Sequence, residues 1–169
     1  MNVREAIYKR RSIRSFQEKE VDEQIIKSLL EDAMAVPSAC NKQPWEFYVI
    51  KNKEKQDQIK SKIMYSKFNS PVMIIVAANN EISLTKDSND FWIQDCSAAV
   101  ENILLSAVSF GLGTCWCGLY PVEKRAQRVK EILELSDNII PMAIIHIGYP
   151  EKDIEGRTQY NENKVHYIE

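Results

Sequence analysis

Four cations lie within six residues close to the N-terminus, in the run Lys9-Arg10-Arg11-Ser12-Ile13-Arg14. The guanidinium groups of Arg10 and Arg11 can bind a phosphate bidentately, and the Ser12 hydroxyl adds a donor. Arg14 lies further along and would reach a different part of the same ligand. The formal net charge of the chain is -2, so this local positive cluster favours a bound anion. A solvated charged surface explains the run equally well when it is read alone.

A second candidate segment is the polar stretch Pro37-Ser38-Ala39-Cys40-Asn41-Lys42-Gln43-Pro44-Trp45, which we expect to be a stiff loop ahead of a strand. Its two prolines enclose small and amide residues. Side chains such as Ser38, Asn41 and Gln43 offer donors and acceptors that suit the edges of a planar heterocycle. A simple helix-to-strand connection built from turn residues is the alternative.

The third segment is Gly111-Leu112-Gly113-Thr114-Cys115-Trp116-Cys117-Gly118. It is not a dinucleotide-binding fingerprint, because it follows a predicted helix and Trp116 occupies the place of the third glycine. We expect a loop at residues 114–120 whose small residues bring backbone N–H groups against a ring. Arg157, in an otherwise acidic tail, is the fourth candidate, and a solvated charge is the alternative for it.

The composition limits the classes of protein. With 169 residues the chain is predicted to form a single domain over residues 1–169. A pI near 5.8 argues against a nucleic-acid partner, and no apolar run approaches the ~20 residues of a membrane span. The first residues lack the apolar core of a signal peptide, so we expect the mature chain to begin at Met1 and to be cytoplasmic.

The cysteines are expected to be free thiols in a reducing compartment, and no metal site is predicted from them. They are Cys40, Cys96, Cys115 and Cys117. No Cys-x-x-Cys pair occurs, and Cys115 and Cys117 are too close in sequence for ordinary disulfide geometry. His146 falls in a predicted strand, where a hydrogen-bonded structural role is favoured over catalysis.

Apolar periodicity and turn residues predict the secondary structure. The predicted helices cover residues 2–9, the stretch from a cap at Asp22 to Pro37, 53–63, 91–110 and 121–133, and the predicted strands cover 46–50, 71–78 and 139–147. In the first helix, Val3, Ala6 and Ile7 are expected to face inward. Pro141 is expected to move the start of the last strand toward a sheet edge.

Two of these elements are unusually apolar. The run 71–78 predicts a central strand covered on both faces. The helix at 91–110 is apolar around most of its circumference, which predicts burial by its own fold or by a partner chain. A polar loop is expected at 79–89, and the polar tail could extend as a strand at 165–168. Together the elements predict an α+β fold with helices flanking one sheet.

Taken together, these segments resemble the FMN-dependent nitroreductase family, in which this chain would be a short member. The resemblance rests on Arg10 to Phe16, Pro37 to Trp45, the buried helix that leads into Gly111 to Thr114, and Arg157 with Val165-His166-Tyr167. It covers essentially the whole chain and implies a nitroreductase-like fold with a central mixed or antiparallel sheet. It also implies a homodimer, with the long buried helix and the FMN sites at its interface.

The resemblance further implies roles for individual residues. The implied FMN-contacting residues are Arg10, Arg11, Ser12, Arg14, Pro37, Ser38, Ala39, Asn41, Gln43, Cys115, Trp116, Cys117, Gly118 and Arg157. Arg10 and Ser12 would bind the phosphate and ribityl chain with Arg11 beside them, and Arg157 would return to the phosphate. Arg14 would lie near N1 and O2 of the isoalloxazine. Ser38, Ala39 and Asn41 would come from the opposite subunit, and a backbone N–H of Cys117 or Gly118 would be directed at N5.

The function that the resemblance implies is an NAD(P)H-dependent FMN oxidoreductase. It would reduce small electron-poor acceptors, such as nitroaromatics or quinones, by ping-pong hydride transfer through flavin N5. This scheme requires no catalytic acid or base side chain. The alternatives are a flavin-dependent dehydrogenase or dehalogenase acting on a specific metabolite, and a non-catalytic module that stores flavin or senses redox state. Some family members carry a Lys at the place of Glu155, so we expect the tail of this chain to bind the phosphate more weakly.

Overall fold

A computed structural model describes residues 1–84 and 90–169; residues 85–89, which end the polar loop expected at 79–89, lie outside them. The helices are α1 Val3–Lys9, α2 Glu23–Met34, α3 Lys53–Lys62, α4 Phe91–Ser109 and α5 Glu123–Leu133, and the strands are β1 Trp45–Ile50, β2 Val72–Asn79, β3 Gly113–Gly118 and β4 Ile139–Gly148. Asp22 caps α2 as predicted, with its side chain accepting from the Gln24 N–H. These elements confirm the α+β prediction.

The strands form one antiparallel sheet in the order β1-β2-β4-β3. β2 pairs on both sides, and Val72 to Ala78 are buried, so the prediction of a covered central strand is confirmed. β4 also lies inside the sheet. Pro141 was expected to move the start of this strand toward a sheet edge. Residues 139–141 do pair with β2 alone, and a register shift follows them, but the rest of the strand lies between β2 and β3.

β3 replaces the loop that was expected at residues 114–120, and that expectation is wrong. Glycines at both ends of the segment suggested a turn, but Gly113 to Gly118 pair continuously with β4 from Gly148 back to Ala143. Only Gly111, at a φ of 70°, takes the left-handed conformation that ends α4. β3 is an edge strand because β4 is its only partner among the strands that the structure describes.

The helices cover the two faces of the sheet. α4 lies on one face together with α2, while α3 and α5 cover the other face. Eight side chains of α4 are buried, but Phe91 and Glu101 remain exposed, so the chain itself does not bury this helix all round. In α1 only Ala6 is buried, and the inward orientation expected for Val3 and Ile7 is wrong because α1 packs on α4 through one side.

The tail lies on the surface, and residues 151–169 are all exposed. The strand that residues 165–168 could have formed is absent from the described sheet, and a short 3-10 turn at Glu162–Lys164 precedes them. Tyr167 and Ile168 are 88% and 97% exposed, so the end of the chain buries little apolar surface against its own fold. No helix within the described ranges combines the length and apolar character that crossing a bilayer requires.

Candidate functional site at an open strand edge

The outer edge of β3 carries peptide groups that the sheet does not use. Leu119 donates its N–H to the Met142 carbonyl at 2.9 Å, on the side facing β4, whereas the Thr114 carbonyl accepts from the Ile13 N–H at 2.8 Å on the opposite side. Because peptide groups alternate sides along a strand, the N–H groups of Trp116 and Gly118 face the open edge. The resemblance implied a backbone N–H of either Cys117 or Gly118 directed at flavin N5. The N–H of Cys117 faces β4, so that of Gly118 is the better placed of the two.

The basic segment is fixed against this edge by its backbone. Ser12 forms a parallel bridge with Thr114, and Ile13 is buried beside the start of β3. Beyond this bridge the charge of Arg14 reaches the thiols of β3. A hydrogen bond with Cys117 lowers the pKa of Cys115 to about 7, and Arg14 acts in the same direction against the effect of burial. Arg14 therefore follows the segment that is joined to the start of β3, and its charge acts on the thiols of that strand.

Arg10 and Arg11 have different partners. Nε of Arg10 lies 3.7 Å from a carboxylate oxygen of Glu101 on α4, and the two side chains are 31% and 48% exposed. Such an exposed pair contributes little, so a phosphate could displace it. Arg11 donates through Nη1 to the carbonyl of Glu155 in the tail. Arg11 thus attaches the tail to the basic segment.

The tail approaches the basic segment at the end of α1. The Arg157 N–H donates to the Tyr8 carbonyl at 3.1 Å. A Cβ at Gly156 would lie 2.6 Å from the same carbonyl oxygen, so only glycine permits this contact. The two ends of the chain therefore meet where the cations Arg10, Arg11 and Arg157 are concentrated.

The loop at 37–43 is anchored elsewhere, on α4. The Ala39 N–H donates to Oδ1 of Asp95 at 2.9 Å, and the Gln43 N–H donates to the Ser38 hydroxyl at 2.9 Å. Asp95 is buried, and its Oδ2 has no hydrogen-bond partner within residues 1–84 and 90–169. Backbone positions with positive φ, at Cys40, Asn41 and Gln43, strain this loop.

These anchors divide the predicted site residues into two groups. The segments around Arg10–Arg14, β3 and Arg157 meet within one chain, while residues 38–43 hydrogen-bond within their own loop and, through Ala39, to α4. Sequence reasoning did not identify Asp95 as the anchor of the loop. The available signal was the one carboxylate in the first half of a largely apolar helix.

His146 has the structural role that was predicted. The side chain is fully buried in β4, Nε2 lies 2.7 Å from the Ser66 hydroxyl, and Nδ1 lies 2.8 Å from the Ser70 hydroxyl. Burial lowers the pKa of His146 to about 4, and the nearby Lys60 charge adds to this effect. A neutral ring satisfied at both nitrogens joins the segment 66–70 to the sheet beneath β3. All four cysteines are free thiols, as expected.

Comparison with known proteins agrees with this geometry. The model of the Nitroreductase family matches residues 7–66 and 61–149, and the chain belongs to that family. It is 40% identical over 168 residues to a protein of Methanothermobacter thermautotrophicus provisionally named as an NADH dehydrogenase/NAD(P)H nitroreductase, which covers 98% of this chain and 86% of the relative.

Solved structures show the same fold. A crystal structure from Bacteroides thetaiotaomicron, with the same provisional name, matches at a TM-score of 0.91 and 35% identity over 98% of this chain and 96% of the other. A provisionally assigned nitroreductase from Desulfovibrio desulfuricans, solved in complex with FMN, matches at a TM-score of 0.86 and 26% identity over 100% and 97%. The predicted family and the nitroreductase-like fold are therefore confirmed.

Proposed function

We propose that this chain is an FMN-dependent NAD(P)H oxidoreductase of the Nitroreductase family that reduces small electron-poor acceptors such as nitroaromatics or quinones. The observation that carries the proposal is the open edge of β3. There the outward N–H groups of Trp116 and Gly118 follow the point where the basic segment that carries Arg14 is joined to β3, and the two ends of the chain meet at that segment. The relatives named for NAD(P)H and FMN support it.

The chemistry of the described residues fits this cofactor. A phosphate needs cations and hydroxyl donors, and Arg10, Ser12 and Arg157 supply them where the tail meets α1. A polar heterocycle needs backbone donors along one edge, which Trp116 and Gly118 present. Arg14 would stabilise negative charge on the reduced ring, because a fixed cation in a partly desolvated site favours an anion.

FMN, when bound, supplies hydride acceptance from the nicotinamide and two-electron transfer to the acceptor. The chain binds and orients the reactants, and it needs no proton-transfer side chain of its own. The segment at 111–118 lacks the dinucleotide fingerprint, which agrees with a nicotinamide that visits and leaves. Donor and acceptor would use one site in turn, and this gives ping-pong kinetics.

We also propose a homodimer, with residues 1–169 as one flavin-binding domain in each subunit. The loop at 37–43, including Pro37, Ser38, Ala39, Asn41 and Gln43, is joined to α4 through Ala39, and within residues 1–84 and 90–169 no hydrogen bond joins it to the basic segment or to β3. A second chain would bring this loop to the open edge of β3. The exposed apolar side chains of α1 and of the tail support such an interface. The free thiols suit a cytoplasmic location.

Anaerobic spectroscopy tests the proposal. The purified protein should be yellow, and stoichiometric NADH or NADPH should bleach the flavin absorbance. A nitroaromatic or a quinone should then restore the colour. Bound flavin that responds to neither nicotinamide would favour storage or redox sensing, and a colourless protein that does not take up FMN would contradict the proposal.

A further inference from the structure

The Gly118 end of the open edge carries a second cation, which the flavin roles above do not use. Arg125, in the first turn of α5, donates through Nη1 to the Gly118 carbonyl at 3.5 Å. The Gly118 peptide faces the open edge, so this contact places the guanidinium at that edge. A contact at 3.5 Å is weak and leaves the other N–H groups of Arg125 available.

An exposed aromatic ring lies under the same guanidinium. The guanidinium carbon of Arg125 is 5.2 Å from the centroid of the Tyr65 ring, within cation–π range. The Tyr65 side chain is 64% exposed. An exposed ring beside a partly exposed cation can accept an aromatic ligand on its face while the cation binds an anionic group.

The segment that carries Tyr65 is held firmly from below. The Tyr65 carbonyl accepts from the Cys117 thiol at 3.3 Å, and the next residue, Ser66, contacts the buried His146 ring. Arg128, one turn along α5, donates to the Lys62 carbonyl at 3.1 Å. These contacts fix the backbone that carries the exposed Tyr65 ring.

The two cations of the edge are separated along the strand. The Ile13 N–H, next to Arg14, contacts the Thr114 carbonyl, whereas Arg125 contacts the Gly118 carbonyl, and Thr114 to Gly118 spans about 13 Å of extended chain. Among residues 1–84 and 90–169, no carboxylate is in ion-pairing contact with Arg125. A partly exposed cation beside a ring suits a planar substrate with a negative group.

We propose that Tyr65 and Arg125 form the acceptor subsite and that this enzyme prefers aromatic acceptors carrying a carboxylate. Tyr65 stacks on the acceptor ring, and Arg125 binds the carboxylate at the Gly118 end of β3. This inference rests on the proposed function, since it assigns the acceptor of that same site. The dinucleotide donor also carries anionic oxygens, in its phosphates, so the test must separate donor from acceptor.

A matched pair of probes isolates the charge, namely 4-nitrobenzoate and nitrobenzene. Binding of each to the oxidised protein as purified is measured by calorimetry. Flavin reduced with dithionite is then reoxidised by each probe in a stopped-flow instrument, so that no nicotinamide takes part. Arg125→Gln should weaken 4-nitrobenzoate about tenfold, in affinity and in reoxidation at low concentration, and should leave nitrobenzene unchanged. Lys124→Gln removes the same charge from the adjacent position and should change neither probe.

Two further variants test the geometry. Arg125→Lys keeps the charge and should recover part of the affinity for 4-nitrobenzoate, whereas Tyr65→Leu should weaken both probes by the same factor. An equal effect of Arg125→Gln on the two probes would overturn the proposal. So would an effect confined to flavin reduction by NADH or NADPH, which would assign Arg125 to a donor phosphate. If neither nicotinamide reduces the flavin, the proposed function fails while the probe comparison still decides the subsite.

Discussion

The two sides of β3 differ in how their backbone hydrogen-bonding groups are paired. On the β4 side, the ladder of hydrogen bonds is continuous. Beneath the strand, the Cys117 thiol donates to the Tyr65 carbonyl, and the next residue, Ser66, contacts the buried ring of His146. On the open side, Ile13 and Arg125 use only the carbonyls at the two ends of the strand, and the donors of Trp116 and Gly118 face outward.

This contrast separates stability from ligand binding. An unpaired strand edge normally invites association with other chains, so a protein keeps one open only where it is covered or used. Interactions on the β4 side, which we call the closed side, hold β3 in position without any ligand. Substitutions there should alter the free energy of unfolding, whereas substitutions along the open edge should alter ligand binding and leave folding nearly unchanged.

The largest expected effect concerns His146 on the closed side. The native pKa is about 4 and the ordinary value is 6.5, so the unfolded chain takes up a proton first as the pH falls. The free energy of unfolding therefore has its full value above pH 6.5 and decreases as the pH falls toward 4. This one group should lower the free energy of unfolding by roughly 2.5 kcal/mol between pH 7.5 and 4.5. Urea unfolding across that range measures it.

The second histidine of the chain, His166, provides the matched control. It lies in the exposed tail, so His166→Gln should keep the full pH dependence of the wild type. His146→Asn should flatten it, whatever the absolute stability of that variant. The same slope in His146→Asn and in the wild type would show that the closed side is not governed by this ring.

On the open side, Arg10→Ala should have the largest effect on cofactor binding. Loss of a guanidinium from a phosphate site removes charge-assisted hydrogen bonds of about 2 kcal/mol, or roughly a 30-fold rise in the Kd for FMN. The weak Arg10–Glu101 contact predicts little change in the free energy of unfolding. Flavin titration of the apoprotein measures the Kd, and Lys9→Ala is the control. An equal loss in both variants would indicate a diffuse charge effect.

Arg14→Ala should show the opposite pattern. Arg14 follows the segment that is joined to the start of β3, and there it would stabilise the reduced ring, so anaerobic flavin reduction by NADH or NADPH should slow about tenfold. The Kd for FMN should change less than threefold, within the range of an exposed charge contact. Rapid-reaction absorbance gives the rate. Equal loss of FMN in Arg10→Ala and Arg14→Ala would contradict the separate roles.

The sequence predicted a helix start and the central strand better than it predicted β3. Asp22 marked a helix start, and the apolar run at 71–78 indicated a central strand, because capping and burial leave local patterns. β3 was missed because its glycines suggest a turn, and because it pairs with residues of β4 that lie 25 to 35 positions away in sequence. Strand pairing of this kind is decided by tertiary contacts.

The candidate site shows the same limit. Residue types and spacing around Arg10–Arg14 indicated phosphate chemistry, and their resemblance to a family indicated the cofactor. Tyr65 and Arg125 gave no such signal, because each is an ordinary surface residue and 60 positions separate them. Only the fold of α5 over the segment that follows α3 brings them together.

The smallest expected effect tests whether the position of the tail matters for the open side. Gly156→Ala places a Cβ against the Tyr8 carbonyl, which is backbone and cannot move aside, so the tail must lift from α1. Arg157 would then lose its position, and the Kd for FMN should rise about threefold, as in Arg157→Ala. Glu155→Ala is the control, because Glu155 contributes its backbone carbonyl to Arg11. If Gly156→Ala binds FMN like the wild type while Arg157→Ala does not, the Arg157 side chain reaches the ligand independently of the α1 contact.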